Sequence, residues 1–125
     1  MKLTSLSPNL YVADLAQSVA FYEQLGFVVV QQFPDEAPIF AMLQQGALTL
    51  LLQTLDSATS DLPELPQQVG ASVLFYYQVE GVRAWEEKLR DTVKVVKPLH
   101  LTFYGATEFT LADPDGYLIT LAEDE

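Results

Sequence analysis

Few side chains in this chain could perform chemistry. The 125 residues include one histidine, His100, and no cysteine, which excludes thiolate catalysis and disulfide bonds. A Ser-His-Asp triad would have to use His100, and the sequence has no nucleophile-elbow pattern around a serine. A metal site built on His100 would need carboxylates far from it in the sequence. We therefore interpret His100 as a loop or strand-edge residue.

Glu108 is the carboxylate whose placement the sequence indicates most clearly. It precedes Phe109, Thr110 and Leu111 in a stretch of alternating polar and apolar residues. Because side chains alternate along a strand, core positions at Phe109 and Leu111 put Glu108 and Thr110 on the opposite, inner face. A carboxylate there can act as a general base or pair with a cationic ligand. The sequence favours a binding or structural role.

The distribution of charge restricts the partners. The net charge is −11, and the stretch between Leu3 and Val82 contains eight acidic residues and no Lys or Arg. Nucleic acid and anionic lipid attract basic surfaces, so neither is an expected partner. A cleft walled by the acidic half would favour a neutral or cationic small molecule.

The apolar runs are too short for a membrane helix and no secretory leader is recognisable, so we expect a cytoplasmic protein.

The elements that would position these side chains follow from periodicity. Alternation predicts a strand at residues 9–12, and Asp14 with Gln17 predicts the start of a helix that ends at Gly26. Proline and polar residues at 54–68 predict a linker with no regular helix across it. A second helix is predicted with Val82, Trp85 and Leu89 on its apolar side, and the pairs Arg83/Glu87 and Glu86/Arg90 support it. The remaining predicted elements are strands at 27–33, 39–43, 47–53, 71–79, 93–96, 101–104, 108–112 and 117–122.

The two halves of the chain show an approximate repeat. Placing Gly46 on Gly116 pairs Leu48 with Leu118, and an offset three residues smaller pairs Val12 with Val79. Both halves follow the order βαβββ. The sequence thus predicts an α+β domain of 1–125 with module one at about 5–53, a linker at about 54–69 and module two at about 70–123.

Three segments resemble the vicinal oxygen chelate superfamily of glyoxalases, bleomycin resistance proteins and extradiol dioxygenases. They are residues 9–15 (NLYVADL), residues 104–109 (YGATEF) and residues 113–117 (DPDGY). The resemblance implies two tandem βαβββ modules that form a curved mixed sheet with a concave cleft and helices on the outer face. It also implies a homodimer, because members of this kind commonly pair to complete their clefts.

The resemblance further implies where a metal centre would lie. Metal-dependent members place His, Glu or Gln on four strands, and the corresponding positions here are Ser7, Leu50 or a neighbour, Val73 or Leu74, and Thr120. A serine, two aliphatic residues and a threonine cannot hold a divalent ion. We therefore expect no metal and no other cofactor.

Alternation from the predicted core residues indicates a cleft lined by tyrosines and amides with one acid. Such a lining suits a flat neutral or cationic molecule. The expected function is small-molecule binding, closest in kind to the bleomycin resistance proteins, with no catalytic residue. The alternatives are a metal-dependent lyase, isomerase or dioxygenase with displaced ligands, and an interaction domain with a vestigial cleft. The expected ligand-binding residues are Ser7, Asn9, Tyr11, Leu50, Leu74, Tyr76, Gln78, Tyr104, Glu108, Thr110 and Thr120.

Overall fold

A computed structural model describes residues 1–125. Its elements form two compact units, residues 1–70 and 71–125, and each unit contains a four-stranded mixed sheet. The predicted α+β fold with tandem βαβββ modules is confirmed, with the strands divided between two sheets. The longest helix has ten residues, and none of the helices could span a membrane. The elements are β1 Asn9–Val12, α1 Leu15–Gln24, β2 Val28–Phe33, β3 Phe40–Gln45, β4 Leu48–Thr54, α2 Leu55–Asp61, β5 Leu74–Gln78, α3 Val82–Leu89, β6 Lys94–Leu101, β7 Ala106–Ala112 and β8 Leu118–Asp124.

In the first unit the sheet order is β1-β4-β3-β2, with β1 and β4 parallel and the other pairs antiparallel. The predicted start of α1 is confirmed, because the Asp14 side chain accepts a hydrogen bond from the Gln17 amide at 3.1 Å. The predicted end is confirmed as well. Gly26 follows the helix with φ +93°, a conformation that glycine adopts without the strain a Cβ would cause. These two signals set the length of the helix.

The core of the first unit lies on one face of its sheet. Leu10, Leu52 and Ala41 are in register across β1, β4 and β3, and all three are buried. Helix α1 contacts β3 and β4, and its Tyr22 makes an edge-to-face contact with Phe27 at 6.3 Å between ring centroids. An aromatic pair of this kind adds roughly 0.5–1.5 kcal/mol to the burial of its area.

The predicted linker contains a helix that the sequence analysis did not anticipate. Helix α2 occupies Leu55–Asp61, and the Thr54 hydroxyl caps it by accepting a hydrogen bond from the Ser57 amide at 3.4 Å. The segment has a single buried residue, Ala58, so it lacks the apolar stripe by which a helix is recognised. The helix ends just before Pro63, whose ring is incompatible with a helix interior. Only the stretch after Asp61 is irregular.

In the second unit the sheet order is β5-β8-β7-β6, with β5 and β8 parallel. The prediction of two strands at 93–96 and 101–104 was wrong, because β6 runs continuously from Lys94 to Leu101. Its pairing with β7 shifts register between Val95 and Lys97 and again between Lys97 and His100. These irregularities accommodate Pro98, which has no amide hydrogen to donate. Such a strand can hold a proline because β6 lies at the sheet edge.

The predicted tight turn at residues 113–116 is present. The Asp113 carboxylate accepts hydrogen bonds from the amides of Asp115 and Tyr117, both at 2.9 Å. The amide of Gly116, which has φ +91°, donates to the Asp113 carbonyl at 3.0 Å. This turn leads β8 back along β7 and thereby sets the register of the residues described below.

A glutamate from β8 caps helix α3. The helix begins after Gly81, which has no side chain to cap it, and Glu123 accepts from the amides of Gly81 and Val82, both at 3.1 Å. These hydrogen bonds lower the pKa of Glu123.

Of the two predicted ion pairs on α3, Glu86 with Arg90 is present at 2.7 Å. Arg83 instead approaches Glu125 at 3.4 Å, because the C-terminal carboxylates lie beside the helix start.

The cap at Glu123 predicts a pH-dependent contribution to stability. Because folding lowers the pKa, the contribution is present above the ordinary value of 4.5 and is lost as the pH falls through the lowered value. We expect Glu123→Gln to lower the melting temperature at pH 7, by an amount that shrinks below pH 4.5. Thermal unfolding across pH measures this, with Glu64→Gln as an exposed control that removes the same charge. An equal effect of both variants at pH 7 would contradict the cap.

Candidate functional site

One face of the second sheet carries most of the polar residues that the sequence predicted for the site. Strand register places Thr110 beside Thr120 and Thr120 beside Tyr76, with Glu108 beside His100. These residues lie opposite the buried apolar face that contains Phe109. We call this the polar face of the second unit; it consists of Tyr76, Gln78, His100, Glu108, Thr110 and Thr120, with Tyr104 from the β6–β7 turn.

Glu108 is the centre of a hydrogen-bonded cluster on the polar face. Its Oε2 accepts from the Tyr104 hydroxyl at 2.7 Å and from the Tyr76 hydroxyl at 3.3 Å. Its Oε1 lies 4.0 Å from Nε2 of His100. Glu108 is only 9% exposed, whereas Tyr76 and Tyr104 are 46% and 54% exposed. The cluster is therefore a buried carboxylate held by two phenols whose rings remain accessible.

The carboxylate changes the acidity of both phenols. The hydrogen bond to Glu108, with partial loss of hydration, raises the pKa of Tyr104 from 10.0 to about 12. Partial loss of hydration, followed by the negative charge of Glu108, raises the pKa of Tyr76. Both tyrosines thus stay protonated as hydrogen-bond donors at neutral pH. Neither phenol is suited to act as a base.

The acidity of Tyr104 provides a direct test of the cluster. Tyrosinate absorbance of the wild type is expected to contain one group titrating at about 12 that is missing from Tyr104→Phe. In Glu108→Gln the main cause of the shift is removed, so the pKa of Tyr104 should return toward 10.0. Because folding raises this pKa, the associated stability is present below pH 10 and is lost as the pH rises through about 12. A Tyr104 titration near 10 in the wild type would show that the hydrogen bond does not form.

His100 is a strand-edge residue, as the sequence suggested, but it contacts the predicted site. Its Nδ1 lies 2.8 Å from the carbonyl oxygen of Pro98, and the pairing of β6 with β7 sets it opposite Glu108. His100 was not among the residues predicted for the site, because it lies outside the ligand positions that the family resemblance implies. The register shifts on both sides of Lys97 also break the alternation of β6 from which its facing could have been predicted. No local signal could have revealed this contact, which depends on the register between two strands.

The other predicted residues of the second unit are placed as follows. The hydroxyls of Thr110 and Thr120 are 2.7 Å apart and form a hydrogen bond with each other. Thr120 is 2% exposed, and this bond gives its buried hydroxyl a partner. Gln78 is exposed at the end of β5. Leu74 is half exposed at the start of β5, and Val73 precedes the strand.

In the first unit a second polar group occupies the face opposite the apolar core. Asn9 donates through Nδ2 to the Gln53 side-chain oxygen at 3.1 Å, and Gln53 donates to Ser57 at 3.2 Å. Tyr11 is beside Gln53 in the register of β1 and β4. The Oδ1 atom of Asn9 is buried without a hydrogen-bond partner. Ser7 is exposed and precedes β1, so it makes none of these contacts.

The placement of Leu50 on the inner face was wrong. Leu50 is beside Leu43 in the sheet register, both are buried, and both lie on the face of the apolar core. Leu51 is beside Asn9 and Met42, so it occupies the predicted inner position instead. The physical reason is that a run of three leucines has no alternation, so a shift of one residue exchanges the two faces.

The residues at the family's metal positions do not fit a divalent ion. Ser7 and Thr120 offer single hydroxyls, and Leu51, Val73 and Leu74 offer no donor atom. No group of three or more His, Cys, Asp or Glu side chains is arranged to hold a metal. His100 and Glu108 supply only two neighbouring side chains that could bind a metal. A divalent ion in a protein site needs more nitrogen or oxygen ligands than these two.

Grooves elsewhere in the chain do not contain the predicted residues. A groove of about 590 Å³ in the first unit lies over the start of α1, between Asp14 and Pro38. A smaller one of about 170 Å³ in the second unit lies beside Trp85 and Lys88. Neither is lined by a tyrosine or by the buried carboxylate. The Glu108 cluster therefore remains the candidate site with the most specific chemistry.

The chain belongs to the Glyoxalase/Bleomycin resistance protein/Dioxygenase superfamily, whose sequence profile matches residues 4–121. The match spans both units. It agrees with the tandem βαβββ arrangement of the structure. No curated protein matches the sequence.

Solved structures share the fold at low sequence identity. A protein of unknown function from Agrobacterium tumefaciens str. C58 is 22% identical with a TM-score of 0.81, covering 100% of this chain and 97% of that one. A glyoxalase-related enzyme from Fulvimarina pelagi is 20% identical with a TM-score of 0.81, covering 97% and 88%. A glyoxalase/bleomycin resistance protein/dioxygenase from Nocardioides is 20% identical with a TM-score of 0.82, covering 99% and 85%. At these identities the similarity shows the fold.

Proposed function

We propose that this protein binds a small organic molecule, cationic and aromatic in character, on the polar face of the second unit. Glu108 provides the negative charge, and the rings of Tyr76 and Tyr104 provide aromatic surface. The observation that carries the proposal is the carboxylate itself. It is 9% exposed and no Lys or Arg pairs with it.

An ionised carboxylate in such a place is costly unless it is compensated. Burying a charge without a partner is unfavourable, and two neutral phenols supply only part of the compensation. None of the five cations that follow Val82 along the chain forms an ion pair with Glu108, and two of them, Arg83 and Arg90, pair with Glu125 and Glu86. A ligand cation would supply the missing positive charge. The overall charge of −11 also attracts such a ligand.

The aromatic surface around the carboxylate supports the same ligand class. Tyr76 and Tyr104 are each about half exposed, and Phe103 is fully exposed next to Tyr104, with their ring centroids 5.0 Å apart. An exposed aromatic group near a buried charge suits a flat molecule held by stacking and by cation–π attraction. Binding resembling that of a bleomycin resistance protein is proposed only as a class, because nothing on this face selects one compound.

We also propose that binding requires no metal centre. The hydroxyl and aliphatic residues at the four expected positions support this part of the proposal. The experiment is a thermal-shift screen of the purified protein against Mn²⁺, Zn²⁺, Ni²⁺ and a panel of aromatic amines, since a ligand that binds only the native state raises the melting temperature. We expect a shift with aromatic cations and none with the metals. A metal-dependent shift, or no shift with any compound, would overturn the proposal.

A homodimer is the proposed assembly. Large apolar side chains are exposed on edge strand β2, where Val28 is 58% and Phe33 is 65% exposed. An apolar edge of this kind is a typical surface for pairing. Sedimentation equilibrium should give about twice the chain mass of 13.9 kDa. A mass of one chain at micromolar concentration would exclude the dimer.

A further inference from the structure

The two oxygens of Glu108 differ in a way that bears on the ligand. Oε2 accepts both tyrosine hydroxyls, at 2.7 Å and 3.3 Å, whereas Oε1 receives no hydrogen bond and faces Nε2 of His100 at 4.0 Å. A carboxylate oxygen has two lone pairs, and both on Oε2 are used. Oε1 is therefore the oxygen that is free to accept from a ligand.

The contact of His100 with Pro98 determines what faces Oε1. The Pro98 carbonyl oxygen can only accept, so His100 Nδ1, 2.8 Å away, must carry the hydrogen of that bond. In the neutral ring Nε2 then has a lone pair and no hydrogen. Two acceptors, Oε1 and Nε2, consequently face each other. Their separation of 4.0 Å is too long for a hydrogen bond between them.

We propose that the bound cation is a primary ammonium whose nitrogen bridges Oε1 of Glu108 and Nε2 of His100. A nitrogen about 2.9 Å from both acceptors subtends an angle of about 90° between atoms 4.0 Å apart, which two N–H bonds of an ammonium can span with modest bending. A quaternary ammonium has no N–H and would leave both acceptors unpaired. The inference rests on the proposed function, because it names the cation that the same face takes.

The test compares two probes that share a ring and a positive charge, benzylammonium and benzyltrimethylammonium, by isothermal titration calorimetry. Hydrogen bonds to charged groups account for at least a tenfold difference in affinity, so we expect the wild type to bind the primary ammonium at least about tenfold more tightly. In His100→Leu the ammonium keeps Oε1 of Glu108 but loses Nε2, so the ratio should fall by a factor of at least about three while the affinity for the quaternary probe stays the same. His100→Gln has a side-chain oxygen that can accept, so part of the preference should return.

The outcomes separate the inference from the proposed function. Equal or tighter binding of the quaternary probe by the wild type would overturn the inference and leave the binding function intact. A preference of the same size in His100→Leu and the wild type would also overturn it, because the preference would then not involve His100. Binding of neither probe to the wild type would count against the proposed function and the inference together. His100 is on an edge strand, so we expect both variants to fold. Circular dichroism of each variant checks this.

Discussion

Replacing Leu50 with alanine is expected to lower the free energy of unfolding by about 2–5 kcal/mol, the usual cost of emptying a leucine site in a packed core. Leu50 is 1% exposed and lies beside Leu43, which is fully buried. Truncation leaves a cavity that the surrounding strands can fill only by moving. Urea unfolding followed by circular dichroism measures the change.

Leu51→Ala is the matched control, since it removes the same atoms from the next residue of the same strand. Leu51 is partly exposed on the face that carries Asn9 and Met42, so the loss should be less than half of that for Leu50. A larger loss at Leu51 than at Leu50 would mean that the register of β4 is displaced by one residue. The pair of variants therefore determines which leucine belongs to the inner face.

Glu108→Gln is expected to weaken the binding of an aromatic primary ammonium by at least about tenfold, because it removes the charge and a strong hydrogen-bond acceptor at once. The variant is nearly isosteric, and its amide oxygen can still accept from Tyr76 or Tyr104. We therefore expect the fold to persist while the affinity falls. Calorimetric titration of both proteins with benzylammonium gives the ratio of affinities.

Asp124→Asn controls for the loss of one negative charge. Asp124 is exposed at the end of β8, on the same face by alternation from Thr120 and Ala122, and no hydrogen bond links it to the tyrosines. It should change the affinity by less than a factor of about two, as expected for a solvent-exposed charge. If the two variants weaken binding equally, the attraction is a property of the general surface charge rather than of the Glu108 site.

The sequence was sufficient for the parts of the fold where polar and apolar residues alternate or where a helix has a cap. Asp14 and Gly26 bound α1 as predicted, and Glu108 and Phe109 face opposite sides of β7. Helix α2 was missed because Leu55–Asp61 is short and nearly without buried residues. Its capping residue, Thr54, was the available signal.

The candidate site was predicted only in part, for two physical reasons. The three leucines at 50–52 show no alternation of polar and apolar residues. Which of them point into the core therefore depends on how β4 pairs with β3 and β1 and cannot be read from their own sequence. His100 and Glu108 are likewise brought together by strand pairing across an irregular edge. The hydrogen bond of Tyr104 to Glu108 could be anticipated better, because four residues and a single turn separate them.

The two hydrogen bonds on Glu108 differ in the length of chain they close, and this bears on how the site assembles. Tyr104 is four residues from Glu108, whereas Tyr76 is 32 residues away and joins through the parallel pairing of β5 with β8. Short loops close faster and at lower entropic cost than long ones. We expect the Tyr104 contact to form with the β6–β7 hairpin and the Tyr76 contact to form later, which stopped-flow fluorescence of Tyr76→Phe and Tyr104→Phe would resolve. A refolding chain would therefore pass through a stage in which Glu108 accepts a hydrogen bond from Tyr104 only. The ligand site would be complete only after β5 has paired with β8 and brought Tyr76 to the carboxylate.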